Sequence, residues 1–101
     1  VRKAYVDSKT LKLGSWVTRS SDTVYQAATD GFVCAIDAIA TISRAIGYTD
    51  SNNPPTTVRM DRYLTGILLQ NSASICMPVK KGDYWKVVLN GSGTIYWIPL
   101  S

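Results

Sequence analysis

Apolar and polar residues alternate in short runs along most of this chain, and a period of two is that of extended strands. Strands are predicted at Ser15–Arg19 and Thr23–Ala27. Another is predicted over Thr56–Leu64, where Thr57, Arg59, Asp61 and Tyr63 share one face and Val58, Met60, Arg62 and Leu64 the other. Ile67-Leu68-Leu69 is a short apolar run, and Ser74–Val79 leads into a Lys80-Lys81-Gly82-Asp83 turn. Thr29-Asp30-Gly31 reads as another turn. Gly47–Thr56 reads as a loop, because Pro54 and Pro55 cannot both sit in a central strand. Roughly eight short strands spaced about 8–12 residues apart are the signature of a sandwich or barrel. The predicted fold class is therefore all-β. Residues 15–101 form one β-sandwich domain, and 1–14, polar and basic, form a connector leading into it.

The last two runs, Tyr84–Leu89 and Thr94–Leu100 around the Asn90-Gly91-Ser92-Gly93 turn, read as a β-hairpin that is apolar on both faces. Trp85, Val87 and Leu89 share one face, and Tyr84 and Val88 the other, with Lys86 between them. Ile95 and Trp97 point one way, and Tyr96, Ile98 and Leu100 the other. One face can line a core. The second needs another cover, and a chain this short has little spare structure to supply it, so a second copy of the chain is the simplest partner.

The stretch 32–46 supports two readings. Ile36, Ile39 and Ala40 fall on a helical stripe, and its alanines suit a helix. At period two, Phe32, Cys34, Ile36, Ala38, Ala40 and Ile42 form an unbroken apolar face, with Asp37 on the other face and outside the core. The strand reading is the better one, because turns bound the stretch on both sides.

Composition narrows the chemistry. The 101 residues make one domain, and 46% hydrophobic with 18% charged residues is an ordinary globular balance. No apolar run is long enough for a membrane-spanning helix. The sequence begins without Met or a signal-peptide pattern, which suggests a chain cut from a longer one. It contains no His and no Glu. A Ser-His-Asp or Cys-His site is thereby excluded, and neither a catalytic centre, a metal site nor a cofactor is expected. The net charge of +4 comes from scattered Lys and Arg, none in clusters beyond two, so it reads as a solvated surface with no specific nucleic-acid partner. Cys34 and Cys76 lack metal-ligand spacing. Two reduced core thiols are expected, with a bridge between neighbouring strands as the alternative in an oxidising compartment.

Three groups of residues carry candidate chemistry. Lys80-Lys81-Gly82-Asp83 could hold an anion but lacks the framing of a phosphate loop, and a surface turn is the better reading. Trp16, Trp85 and Trp97 are expected to be buried, and Tyr48, beside a loop, less so. Arg59, Asp61 and Tyr63 form a polar row that reads first as an outward face with cross-strand ion pairs. The sharper reading is a ligand site for a carboxylate, a phosphate or another small anion, which Arg44 and Tyr48 could join.

Asp30-Gly31-Phe32-Val33 after an aromatic-bearing strand, then Pro78–Leu89, then Ile95-Tyr96-Trp97-Ile98-Pro99-Leu100 at the end, resemble the trimeric knob of phage tail needles and tail fibres. Such knobs are similar to the tumour necrosis factor and C1q head, a jelly roll whose C-terminal strand packs near a three-fold axis. The resemblance covers about residues 15–101. It implies a homotrimer at the tail tip of a virion, assembled in the host cytoplasm and borne on a stalk. Its partner would be a host cell-surface molecule, either a polysaccharide or an outer-membrane component. Together with the two-faced terminal hairpin, it places the expected subunit contact at Tyr96, Trp97, Ile98, Leu100 and Tyr84. The competing readings are a stand-alone carbohydrate-binding module, from the aromatics, and an OB-like nucleic-acid binder, from charge and aromatics together.

Overall fold

A computed structural model describes residues 12–66 and 71–101. Among these residues there is no helix, and eight strands follow in order: β1 (Val17–Arg19), β2 (Tyr25–Gln26), β3 (Gly31–Ile36), β4 (Ile42–Asp50), β5 (Val58–Thr65), β6 (Ser74–Val79), β7 (Tyr84–Leu89) and β8 (Thr94–Pro99). They pair antiparallel in two four-stranded sheets, ordered β1-β8-β3-β6 and β2-β7-β4-β5. The chain passes from sheet to sheet at nearly every connection. Only β4 and β5 are both consecutive and paired. The Ile67–Leu69 run lies outside the described residues.

The expected terminal hairpin is corrected by this topology. β7 pairs with β2 and β4, β8 pairs with β1 and β3, and the Asn90–Gly93 turn carries the chain between sheets. Each strand therefore has its own inner face. Trp85, Val87 and Leu89 on β7 face Ile95 and Trp97 on β8 across the core. A sandwich interior is only about 10 Å thick, so large residues need small ones opposite. Ala27, Ala35, Ala45 and Ala73 are all core residues and supply that space for Trp85, Met77 and Trp97. Ala35 and Ala45, two of the alanines that lean the 32–46 stretch towards helix, are thus small members of a sheet interface. Fully burying a large apolar side chain contributes roughly 1.5–3 kcal/mol, and Trp85, Met77, Ile95 and Val87 are all buried to this degree. The indole of Trp97 stacks on that of Trp85 with centroids 6.0 Å apart, and Trp85 stacks on Tyr25 at 4.8 Å, so one aromatic column joins the sheets. Gly31 lets Trp97 lie across the start of β3, where a Cβ would stand 2.5 Å from the indole.

Strand, rather than helix, holds for most of 32–46, which folds as β3 and β4 with a crossing between them. Its faces are the reverse of those expected. Val33 and Ala35 point inward, while Phe32, Cys34 and Ile36 point outward, and beyond the crossing Ser43 is buried while Ile42 is exposed. Asp37, expected outside the core, is only 2% exposed. Its Oδ2 accepts the Arg44 N–H at 3.0 Å and the Ser43 hydroxyl at 3.2 Å, and its Oδ1 accepts the Gly91 N–H at 2.9 Å. Its own N–H donates to the Ala73 carbonyl at 2.8 Å, its carbonyl accepts the Ser72 hydroxyl at 2.8 Å, and the Ala73 N–H donates to the Ser43 hydroxyl oxygen at 2.7 Å. Asp37 thereby ties the end of β3 to the start of β4 and the β7–β8 turn through its carboxylate, and to the approach to β6 through its backbone. Burial pushes its pKa up, but the N–H groups of Arg44, Gly91 and Ala38 and the Ser43 hydroxyl outweigh this, and the net shift is downward.

The cysteines, expected as reduced core thiols, are instead a disulfide between directly opposed residues of β3 and β6 on the outer face. Between β4 and β5 the loop is organised by Asp50, whose carboxylate accepts the N–H groups of Asn52 (2.8 Å), Thr56 (2.9 Å) and Thr57 (2.8 Å). The Lys80–Asp83 turn forms as expected, with Gly82 at the positive φ of 88° that it requires.

Two measurements test these supports. Asp37→Ala strands two backbone N–H donors and should cost about 2–4 kcal/mol in urea unfolding at pH 7, with the denaturant slope unchanged. Because the folded pKa of Asp37 lies below its unfolded value, its contribution is complete above the unfolded value, about 4, and is lost as pH falls through the folded one. Stability of the parent chain should therefore fall more steeply on acidification than that of Asp37→Ala. The Cys34–Cys76 bridge spans a sequence separation of 42. Reduction should therefore lower stability by about 4 kcal/mol on the chain-entropy model, read as a drop in melting temperature with dithiothreitol.

Candidate functional site

The two outer faces of the sandwich differ in chemistry. On the β2-β7-β4-β5 sheet, Arg44 lies opposite Tyr63, and Asp61 lies on the diagonal beside it through the Ile46–Asp61 pair. The Arg44 guanidinium grips the Asp61 carboxylate with two bonds, Nε to Oδ1 at 3.1 Å and Nη2 to Oδ2 at 2.9 Å. It also lies 5.1 Å from the centroid of the Tyr63 ring. The bond from Arg44 holds the Asp61 carboxyl below its ordinary value, and the same bond raises the pKa of Arg44. On the neighbouring pair, Lys86 sits directly across from Tyr48 with its ammonium 4.8 Å from the ring centroid, and that ammonium is 4.0 Å from Asp22. The result is a charged, aromatic face in which Tyr63 remains 56% exposed.

Four of the five candidate ligand residues, Arg44, Tyr48, Asp61 and Tyr63, therefore share this outer face. Arg59 does not join them, although simple alternation puts it in their row. The register shifts between Gly47 and Tyr48, from Gly47–Met60 to Tyr48–Val58, and Arg59 is the extra residue of the bulge. Its Nε donates to the Thr49 carbonyl at 3.1 Å, at the margin between the two sheets. Nothing in the local sequence marks this bulge, since polar and apolar residues alternate straight through it from Thr57 to Asp61.

The outer face of the β1-β8-β3-β6 sheet is apolar. Trp16 packs edge-on against Tyr96 with centroids 5.3 Å apart, beside Ile36 and the Cys34–Cys76 bridge. Trp16, expected to be buried, is 60% exposed, and Ile36 is 47% exposed. Phe32 continues the same face. The expected contact set is only partly brought together here. Tyr96 is on this face with Ile98, although Ile98 is already buried within the monomer, and Leu100 follows β8 and bonds to the Asp30 carbonyl at 2.8 Å. Trp97 is corrected to a core residue, because its side chain points between the sheets onto Trp85. Tyr84 belongs to β7 on the opposite sheet, so it cannot share one flat surface with Tyr96. Phe32 and Ile36, which sequence alternation assigned to the core, are exposed on this face instead.

Among the described residues no cluster of three or more acidic, Cys or His side chains is placed to hold a metal ion. No family model, curated protein or solved structure matches this chain.

The exposed Arg44–Asp61 pair is solvated, and such pairs contribute roughly 0–1 kcal/mol. Asp61→Asn should therefore unfold within that margin of the parent chain in urea, in contrast to the loss at Asp37. A larger loss would show that the pair holds the fold.

Proposed function

We propose that this chain is the non-enzymatic distal knob of a phage tail needle or tail fibre. It assembles as a trimer through the outer face of the β1-β8-β3-β6 sheet and presents the β2-β7-β4-β5 face to the host surface. The observation that carries the reading is the apolar outer face itself. Trp16, Phe32 and Ile36 are large, exposed and contiguous around Tyr96, whereas lone surface apolar residues are ordinary on a monomer. The strand order supports the jelly-roll part of the proposal, since β1-β8-β3-β6 against β2-β7-β4-β5 is the order of a jelly roll with eight strands in two sheets. In it the C-terminal strand β8 lies between β1 and β3, within the sheet proposed for the trimer contact. The lack of His and Glu agrees with a binding role.

The opposite face suits an exposed receptor contact. Tyr63 offers a ring to a sugar, flanked by the polar Arg44–Asp61 pair. This observation also favours the second reading, a carbohydrate-binding module that acts alone. The virion is the site of action on the first reading, and a polysaccharide or an outer-membrane component is the partner.

Sedimentation equilibrium should return three times the monomer mass of 11.1 kDa. Ile36→Asp, on an exposed strand position, should leave the strand signal in circular dichroism intact while shifting the mass towards the monomer. A parent chain that is a stable monomer overturns the trimer. Glycan-array binding by such a monomer, lost in Tyr63→Ala, would select the second reading.

A further inference from the structure

The two methionines of the chain, Met60 and Met77, both line a cleft of about 570 Å³ at the corner where β5 approaches the ends of β3 and β6. This volume lies within the range of small-molecule pockets, roughly 300–1,000 Å³. Apolar side chains dominate its walls, with Val79 and Pro78 beside the methionines. Two cations stand at the same cleft, Arg59 and Lys80. Arg59 is there because of the bulge, which turns it out of the row of Asp61 and Tyr63. Its Nε bond to the Thr49 carbonyl, 3.1 Å, then anchors the guanidinium at the cleft. The two Nη groups make no hydrogen bond to the described residues. A planar fork held at one nitrogen over an apolar pocket matches a carboxylate better than a point charge would.

We propose that this cleft binds a small monocarboxylate with an apolar body. Its carboxylate is received by Arg59 with Lys80 alongside, and its body lies against the exposed apolar walls, Met60, Phe32 and Pro78, in front of the buried Met77. The charge is limited to one by the other rim residues. Asp30, which accepts the Lys81 N–H at 2.7 Å, and Asp83 also line the cleft and would repel a second anionic group. Phe32 also lines the cleft and belongs to the face of the proposed trimer, so the titration is run on the Ile36→Asp chain as well as the parent, and octanoate binding by either carries the site whatever the mass of the particle.

The test uses the full chain labelled with ¹³C at the methionine methyls, which gives two methyl resonances, one from Met60 and one from Met77. Titration with octanoate below its micelle concentration should shift the Met60 signal saturably at pH 7, and the signal of Met77, buried behind the cleft, by less. Octanamide, with the same chain and no charge, should bind roughly tenfold or more weakly, the loss of a charge-assisted contact. Inorganic phosphate should leave both signals in place. Arg59→Gln changes an exposed residue and should keep the parent melting temperature while reducing octanoate binding to the octanamide level, with Lys80→Gln intermediate. Absence of octanoate binding, equal binding of octanamide, a saturable phosphate shift, or full octanoate affinity in a folded Arg59→Gln chain would each overturn the proposal.

Discussion

The arrangement of the sandwich depends on one buried carboxylate. Asp37 stands where β3 ends and the chain must cross to the other sheet, and its hydrogen bonds reach β4, the approach to β6 and the β7–β8 turn. A carboxylate taken out of water is costly unless its lone pairs are filled, and here they are filled almost entirely by backbone N–H groups of other segments. That requirement works in both directions. The charge is tolerated only if the crossing and the Gly91 turn hold their positions, and those backbone donors are satisfied only if the carboxylate is present. Ser43 completes the node by receiving the Ala73 N–H while donating to Asp37. The described residues contain no buried side-chain polar atom without a partner, so the interior accommodates Asp37, Ser43 and Thr49 without loose ends.

Around this node the chain alternates between sheets, and that alternation decides what surfaces it can offer. A terminal hairpin with two apolar faces would have left one broad patch uncovered. Placing β7 and β8 in different sheets turns the excess into an aromatic column between the sheets, with Trp97 against Trp85, and leaves two unlike exteriors. One carries Trp16, Tyr96, Phe32 and Ile36 around a disulfide. The other carries cross-strand charge and aromatic pairs. A module that assembles through one face and meets a receptor through the other needs such a division.

Much of the fold was legible in the sequence, though unevenly. The strands at β5, β6, β7 and β8 follow from alternation, and the Lys80–Asp83 turn from its glycine. The shared face of Asp61 and Tyr63 was legible as well, because alternation on β5 predicts it, whereas the place of Arg44 opposite Tyr63 depended on which strand pairs with β5 and in what register. Arg59 departed from that face at a bulge, which the polar–apolar alternation of Thr57 to Asp61 runs through unbroken. Phe32 and Ile36 against Val33 and Ala35 show a second limit. Both faces of β3 are apolar, so periodicity says that they differ but not which is covered. Asp37 was placed outside the core because alternation put it opposite the more apolar face, and the donors that make its burial possible come from β4 and from the distant Gly91 turn.

By itself, then, the sequence determined an all-β chain, the positions of most strands, and the absence of the side chains that histidine-based chemistry requires. These are local properties, set by side-chain period, turn residues and composition. Only the tertiary structure decided which strands share a sheet, which apolar face is interior, that Cys34 opposes Cys76, and that a carboxylate sits inside. Each of these depends on a partner supplied by a distant segment, and a pairing energy between distant segments leaves no mark on the local pattern of either one.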